Sequence, residues 1–568
     1  MTWKASLAWS AAAAASALGV MFALRQAFQV RTLPERMMEW LLLFVPIDAF
    51  AGGIQSLGPQ AKVYALYGGI VVMGAILVAL GAVALRRRWP PLAVLGLGAA
   101  LFLLAMGVLM PLTGGGFFGV DLFQHPIVVN GTYGATALTY SAALLAGLGF
   151  GRPPATTSTA PARRAARRAF ALGAAGAAGS YLVALRQVRV GGGALGSTLP
   201  LAAAPPPTQD PQPPTPAAEI PTPAPAATAA APIPTPHPLP AERQLERDKD
   251  GALTAASRAK GELATLITPV QAHYVVTKNA VADPVVDAES WRMVIDGEVN
   301  RPVQLDYRTL RQLPAVEVHK TLECISNFTA MCELTYFGCD LISTAPWKGA
   351  RLVDVLDLAG GLKSGVISLQ VQGADEYSSS IPVALATNPD TLVVYEMYGQ
   401  PLPRQHGFPV RLLSPGRYGY KSCKWVIGIR ALRTEHIDWY GQRNWSRTGI
   451  VKTMSRIDTP ANGAGLAPGR HTVAGIAYAG DRGINAVQFS LDSGRTWRPT
   501  VLLEPPLGKD TWVRWAAEFD VAPGAAGRAI QLTSRAIDGT GAIQPHAFAL
   551  PQPNGGSGHH TIELSATA

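Results

Sequence analysis

The chain has 568 residues, enough for three or four domains at about 100–200 residues each. It is 48% hydrophobic and only 15% charged, well below the roughly 25% of soluble domains, which argues against a single globular enzyme of this length. The net charge of +10 would suit a nucleic-acid ligand, but it is unevenly held. Residues 1–200 carry 15 Lys+Arg against 4 Asp+Glu, and residues 201–568 carry 33 against 34. A basic excess set among apolar runs is a membrane-topology signal rather than a phosphate-binding surface. Four cysteines also exclude a disulfide scaffold.

Apolar stretches near 6–24, 38–57, 63–85, 91–112 and 131–150 are each close to the roughly 20 residues that cross a bilayer, and a sixth runs from about 169 to 187. The first is Ala-rich and reads either as a span or as a signal peptide, although no clear cleavage site follows it. Arg25, Arg31 and Arg36 follow the first stretch, Arg86–Arg88 the third, and Arg152, Arg163, Arg164, Arg167 and Arg168 the fifth. The alternate loops carry Lys62 alone. That asymmetry predicts six spans, with the N-terminus and everything after residue 190 outside the cytoplasm.

The sixth stretch, ARRAFALGAAGAAGSYLVAL, looks like an internal twin-arginine export signal, an address for cargo that folds before export. Paired arginines that merely obey the positive-inside rule are the other reading. None of the ten histidines falls in an expected span and no C-x-x-C-H occurs, so neither haem nor an iron–sulfur cluster is expected in this chain. Asp48 is the clearest intramembrane acid, and one acid does not make a transporter. The bundle reads as an anchor or docking module.

Residues 190–240 are Gly-rich and then dense in Pro, Ala and Thr, a composition that cannot bury a core. They predict an extended, polyproline-like tether of on the order of 120 Å. A short helical pattern (AERQLERDKDGALTAASRAKGELATLI) leads out of it.

From about residue 268 the texture is globular. WRMVIDGEV predicts a strand and turn, LDYRTLRQL a helix capped by Asp306, and VEVHKTLEC a strand that runs into a cysteine. LVDVLDLAGG predicts a helix ending at a glycine pair, and VISLQVQG and TLVVYEMYG predict strands. The last hundred residues alternate in short runs between Gly/Asp turns, as in HTVAGIAYAG and WVRWAAEFDV, which predicts an antiparallel β-sandwich. Pattern alone stops at an exported α+β domain followed by a sandwich.

Here the residues resemble a family. TLECISN, WKGARLVDVLDLAGG and GQPLPRQHGFPVRLLSPGRYGYKSCKWVIGI resemble the molybdopterin-dependent sulfite oxidase family, including its bacterial periplasmic sulfoxide-reductase relatives. TPVQAHYVVTKN and WRMVIDGEVNRPVQL fit the start of that domain, and AGIAYAGDRGINAVQFSLDSGRTW fits the Ig-like domain that follows. The resemblance covers about 265–550. Hydropathy and composition predict a six-span membrane domain over 1–190 and a linker over 191–260; the resemblance implies a molybdopterin domain over 261–445 and an Ig-like dimerisation-type sandwich over 446–555, which leaves a tail over 556–568.

The resemblance implies that Cys324 ligates molybdenum, a soft thiolate on a redox-active metal. It implies that Tyr274, His406, Arg411, Tyr420, Lys421, Ser422 and Lys424 bind molybdopterin, with cationic groups meeting its phosphate. Departures concern substrate. Phe328 and Thr329 stand where the family carries oxyanion-binding arginines, Thr277 beside Lys278 replaces another, and Trp445 falls nearest to the family's active-site tyrosine. Cys332 and Cys339 lie in an inserted segment, as a disulfide or as free thiols, and Cys423 is expected in the core.

The implied protein is a multi-pass, membrane-tethered extracytoplasmic molybdoenzyme. It would transfer oxygen atoms to or from a small sulfur-type substrate, exchange electrons with a separate partner, and pair as a homodimer through the Ig-like domain. No nucleic-acid partner is expected. Two rival readings stay open: a degenerate, non-enzymatic exported binding module, and a membrane protein whose main role lies in the bilayer with the soluble part as sensor.

Overall fold

Helix α1 (Trp3–Phe28) starts where Thr2 accepts a hydrogen bond from the Ala5 N–H, and stops at Gln29 in the left-handed region. Residues 2–46, 49, 52–53, 56–57, 60–122, 124–150, 234–236, 238–243, 261–332 and 338–568 are described by a computed structural model. The sixth apolar stretch, its paired arginines, Asp48 and most of the spacer lie outside these residues.

A capping box between Thr32 and Glu35, with Pro34 at the first turn, starts the nine-residue helix α2 (Leu33–Leu41). Helix α3 (Gln60–Arg86) follows, then α4 (Pro91–Leu104), which continues through a π-helical turn at Ala105–Leu109 to Leu112. Helix α5 spans Pro126–Phe150. Three of these segments, Trp3–Phe28, Gln60–Arg86 and Pro91–Leu112, are long and apolar enough to cross a membrane. Helix α5 packs beside α1 and α4.

Two expectations need correction. The stretch 38–57 does not form a single long helix: α2 ends at Leu41, and Glu35, Arg36 and Glu39 on it are buried. Arg25, Arg31 and Arg36, expected in a cytoplasmic loop, instead face the domain that begins near residue 261. Arg25 pairs with Glu35 at 3.1 Å, Arg31 pairs with Glu39, and Arg36 meets Glu376 at 2.6 Å. Gln29 donates to the Val285 carbonyl at 2.9 Å, and Lys62 donates to that of Thr277 at 3.1 Å. At the far end of the bundle the Arg86 guanidinium lies 5.6 Å over the Trp3 ring. The start of α1 and the soluble half therefore lie at opposite ends of the bundle, not on one side as expected.

The soluble half opens with two sheets around an apolar core that includes Trp291, Leu305, Leu369 and Trp425. One is five-stranded and mixed, with Arg292–Gly297 parallel to Val426–Leu432. In the other, Ala315–Glu323 pairs antiparallel with Ile342–Arg351, which pairs with Leu392–Met397. Asp306 caps the helix Tyr307–Gln312 through the Thr309 N–H at 2.8 Å, as the sequence predicts.

The C-terminal part is a sandwich of four- and five-stranded sheets around Trp515, Phe489 and Leu532. Its last strand, His560–Ala566, pairs with Ala529–Asp538 and alternates buried and exposed residues, so the segment expected as a tail completes the sheet. Cys332 and Cys339 form a disulfide, and Cys423 is buried.

His560 in that strand is buried, and its Nδ1 accepts the Ile457 N–H at 2.9 Å. Burial, with Arg456 nearby, pushes its pKa down to about 4. An unfolded histidine takes up its proton near pH 6.5, so the native state is favoured above that pH and loses ground as pH falls toward 4. Unfolding monitored from pH 7.5 to pH 4.5 should show a stability loss of up to a few kcal/mol. The loss should be smaller in H560Q.

Candidate active site

The strand Ala315–Glu323 delivers Cys324 to the centre of the soluble half. The Cys324 N–H donates to the Leu341 carbonyl at 2.9 Å, and its own carbonyl accepts the Asn327 N–H at 2.9 Å. Asn327 closes the loop by donating to Glu323 Oε1 at 2.9 Å and accepting the Leu341 N–H at 3.2 Å. These bonds fix the backbone of LECISN while the sulfur stays directed at a cavity of about 770 Å³, counting its open mouth. Burial pushes the Cys324 thiol up to about 11, so a metal is needed to hold it as thiolate at neutral pH.

Seven of the eight residues singled out from the sequence line this one cavity: Cys324, Tyr274, His406, Arg411, Tyr420, Ser422 and Lys424. Lys421 does not. Its ammonium is buried against Asp438 at 2.5 Å and the Ser380 carbonyl at 3.2 Å, an ion pair beneath the loop rather than a group in the cavity. The spacing GYKSCK could not separate it from Lys424, because the partners that distinguish them, Asp438 for Lys421 and the Val276 and Gln405 carbonyls for Lys424, lie in other segments.

Arg411 opens the strand Arg411–Leu413 and is buried. Its terminal nitrogens donate to the His406 carbonyl at 3.1 Å and the Ser422 carbonyl at 3.2 Å, and its face lies 5.2 Å from the Trp347 ring. Its Nε finds no partner. Lys424 donates to the Val276 and Gln405 carbonyls at 3.1 and 2.9 Å and lies 4.3 Å over the Trp425 ring. Among the described residues no carboxylate forms an ion pair with either cation. Burial lowers Arg411 to about 10 and Lys424 to about 8.

A buried guanidinium and a half-buried ammonium, neither ion-paired, are costly unless an anion completes the site. That donor set fits a phosphate-bearing cofactor at one end of the cavity, with a metal on Cys324 at the other. Gly407 permits the approach: its φ is 111°, and a Cβ there would lie 3.0 Å from that of Lys424 and 3.1 Å from that of Arg411.

Sequence reasoning passed over several lining residues, among them His273, Asp375, Tyr377 and Tyr440. His273 sits beside Tyr274 and edge-on to His406 at 5.0 Å, a contact between segments 133 residues apart that no spacing reveals. Lys278 and Trp445, noted as departures, do line the cavity, whereas Phe328 packs against Phe548 at 5.3 Å away from it. The Lys278 ammonium is drawn to Glu39 of α2, at 3.2 Å. Trp445 lies 4.4 Å from Tyr440.

The sheets, the thiol and the uncompensated cations define a molybdopterin-type oxidoreductase. Residues 280–440 match the oxidoreductase molybdopterin binding domain, and residues 450–551 match the Mo-co oxidoreductase dimerisation domain. The chain is 32% identical over 311 residues to the sulfite oxidase of Gallus gallus, covering 48% of this chain and 67% of that one. It is 29% identical over 335 residues to the sulfite oxidase of Arabidopsis thaliana, covering 50% and 83%. A nitrate reductase of Oryza sativa is 30% identical over 309 residues, covering 45% of this chain and 33% of its own. The chain belongs to the sulfite oxidase family of molybdopterin-dependent oxidoreductases.

Replacing Arg411 by Gln removes charge-assisted bonds of about 1.5–3 kcal/mol each. Metal analysis of the purified variant should find molybdenum and pterin about tenfold or more below the wild type, with unchanged circular dichroism. C324S should lose activity even where pterin is retained. Wild-type molybdenum content in both variants would remove these residues from the cofactor site.

Proposed function

We propose that the chain is a membrane-tethered, extracytoplasmic molybdenum-cofactor oxidoreductase that transfers an oxygen atom to or from a small sulfur-type substrate. One observation carries this reading: the Cys324 thiol and the uncompensated Arg411 and Lys424 converge on a single cavity in the family's domain. When bound, the cofactor supplies the oxygen-atom transfer and the two-electron redox change. Cys324 would hold the metal. Arg411 and Lys424 would take the phosphate, while His406, Ser422 and Tyr274 would orient the pterin.

The substrate end is set by Lys278, Tyr440 and Trp445. Much of the Lys278 charge is balanced by Glu39, and a lone ammonium lacks the bidentate fork that suits a planar oxyanion. This supports a weakly charged sulfur compound over sulfite. The dimerisation-domain match supports a homodimer, and the electrons would pass to a carrier outside the catalytic domain.

Topology follows from charge. With α2 set aside as a short helix, four long helices return the chain at Phe150 to the end of the bundle away from the soluble half. Arg86–Arg88 cluster there, and the basic run 152–168 follows in sequence, which supports a cytoplasmic N-terminus. The apolar stretch 169–187 would then bring the chain out once more. Its paired arginines fit export of a folded, cofactor-loaded domain.

Full-length protein in detergent, assayed with an artificial electron acceptor, tests the substrate. Sulfite turnover is expected only at about millimolar KM, with a sulfoxide-type or other small sulfur compound preferred over both sulfite and nitrate. Saturable sulfite oxidation at micromolar concentration would overturn this specificity. For topology, a cysteine placed at residue 2 should react with an impermeant thiol reagent only after the membrane is permeabilised. One placed in the exposed turn at Gly524 should react in intact cells.

A further inference from the structure

A second cavity lies between the helical bundle and the catalytic domain, about 2140 Å³ counting its open mouth. From the bundle it takes Arg36, Trp40 and Leu112, and from the catalytic domain Glu376, His436, Trp439 and Arg443. Nothing in the first cavity's chemistry requires it.

Arg36 is 2% exposed, and its guanidinium has only one occupied nitrogen: Nη2 donates to Glu376 at 2.6 Å, while Nε and Nη1 have no partner. The Arg443 guanidinium lies 3.4 Å over the Trp439 ring, with its Nε also unpartnered. Buried N–H groups of this kind call for an acceptor. An anion is a poor choice. The charged lining residues balance, with Arg31, Arg36, Arg430 and Arg443 against Glu39, Asp121, Asp296 and Glu376. A neutral carbonyl oxygen satisfies the donors without upsetting that balance. Trp40 offers an aromatic surface for a conjugated ring, and Trp439 shares the lining, under the Arg443 guanidinium.

The mouth indicates where such a molecule comes from. Leu112 and Val120 on the rim are 47% and 61% exposed, and Leu41 and Phe44 beside Trp40 are 53% and 66% exposed. These residues sit where the spanning helices end, so a lipophilic molecule can enter from the bilayer. The π-helical turn at Ala105–Leu109 lies in the span that reaches this rim, and such turns recur at functional sites. The two cavities also share a wall. Trp439 lines the second and Tyr440 the first, with ring centroids 4.8 Å apart, and Tyr440 reaches Trp445, which lines the first cavity together with Cys324.

We propose that the second cavity binds a membrane quinone, with Arg36 donating to a ring oxygen and Trp439–Tyr440 linking it to the molybdenum site. The inference rests on the oxidoreductase reading and names its electron partner. In the oxidising direction the reaction balances as substrate plus water plus quinone giving oxygenated substrate plus quinol. Water supplies the inserted oxygen and two protons, and the substrate supplies two electrons. Both carbonyls of the quinone become hydroxyls. In the reducing direction every term reverses.

The test uses full-length holoenzyme in detergent and decylubiquinone, read by quenching of tryptophan fluorescence. Saturable quenching at about micromolar concentration is expected, weakened tenfold or more in R36Q and partly restored in R36K. No saturable quenching, or equal binding by R36Q, overturns the site. Because R36Q also removes an ion pair and could misfold, a photoreactive azidoquinone is crosslinked to the wild type. Adducts within 36–44, 111–122 or 436–443 support the proposal, and adducts confined elsewhere overturn it. Turnover with an artificial acceptor but no quinone binding sinks the quinone site alone. Quinone binding without molybdenum turnover supports the site and sinks the oxidoreductase reading.

Discussion

The arrangement of the whole molecule depends on a buried ion-pair cluster where α2 meets the catalytic domain. Arg31 pairs with Glu39, Glu39 reaches Lys278 at 3.2 Å, and Arg36 reaches Glu376 at 2.6 Å. Burial opposes every one of these charges. Arg31 and Lys278 outweigh it at Glu39, whose pKa is held down to about 2, and the acids raise Arg31 above its usual range. Such a cluster adds little net stability against an apolar alternative, but losing one partner costs about 3–5 kcal/mol. It therefore specifies a pose. The same contact sets Lys278 at the mouth of the first cavity and Arg36 in the wall of the second, so docking of the bundle and the electrostatics of both cavities are one problem.

A second network does the corresponding work on the other side of Cys324. Arg456 donates to the Cys339 carbonyl at 2.5 Å and pairs with Asp340 and Asp458 at 3.0 and 2.7 Å. Arg243, where the spacer ends, joins the same two acids at 2.7 and 3.3 Å. Tyr478 of the sandwich donates to the Thr321 carbonyl at 3.0 Å, three residues before Cys324. The sandwich thus buttresses the loop that carries Cys324 as well as matching the dimerisation domain. The disulfide Cys332–Cys339 belongs to this buttress, with His560 3.4 Å from Cys332 Sγ.

What the sequence disclosed follows from how local each signal is. The Asp306 cap, the strand into Cys324 and the alternating runs of the sandwich are set by neighbours a few residues apart, and all form as read. The proposed cofactor residues converge on one cavity because the family's motifs are contiguous, and Lys421 falls outside it because its partner, Asp438, is not written in the motif. The stretch 38–57 has the apolarity of a span, yet α2 is decided by partners hundreds of residues away, Glu376 and Lys278. Hydropathy averages over such partners. The strand His560–Ala566 was missed for the same reason: its alternation is short, and its pairing partner Ala529–Asp538 is what makes it a strand.

The basic excess of the first 200 residues divides accordingly. Arg25, Arg31 and Arg36 are matched by Glu35, Glu39 and Glu376, so they carry no net charge toward solvent and cannot vote on topology. The arginines that remain unmatched by acids in sequence, Arg86–Arg88 and the run 152–168, sit after helices that end away from the catalytic domain. Counting only these, the positive-inside rule supports the proposed orientation, with the soluble half on the far side of the membrane. Setting 38–57 aside as a span is what reverses the side proposed for the N-terminus, while the basic run before the last apolar stretch leaves the side proposed for the catalytic domain unchanged.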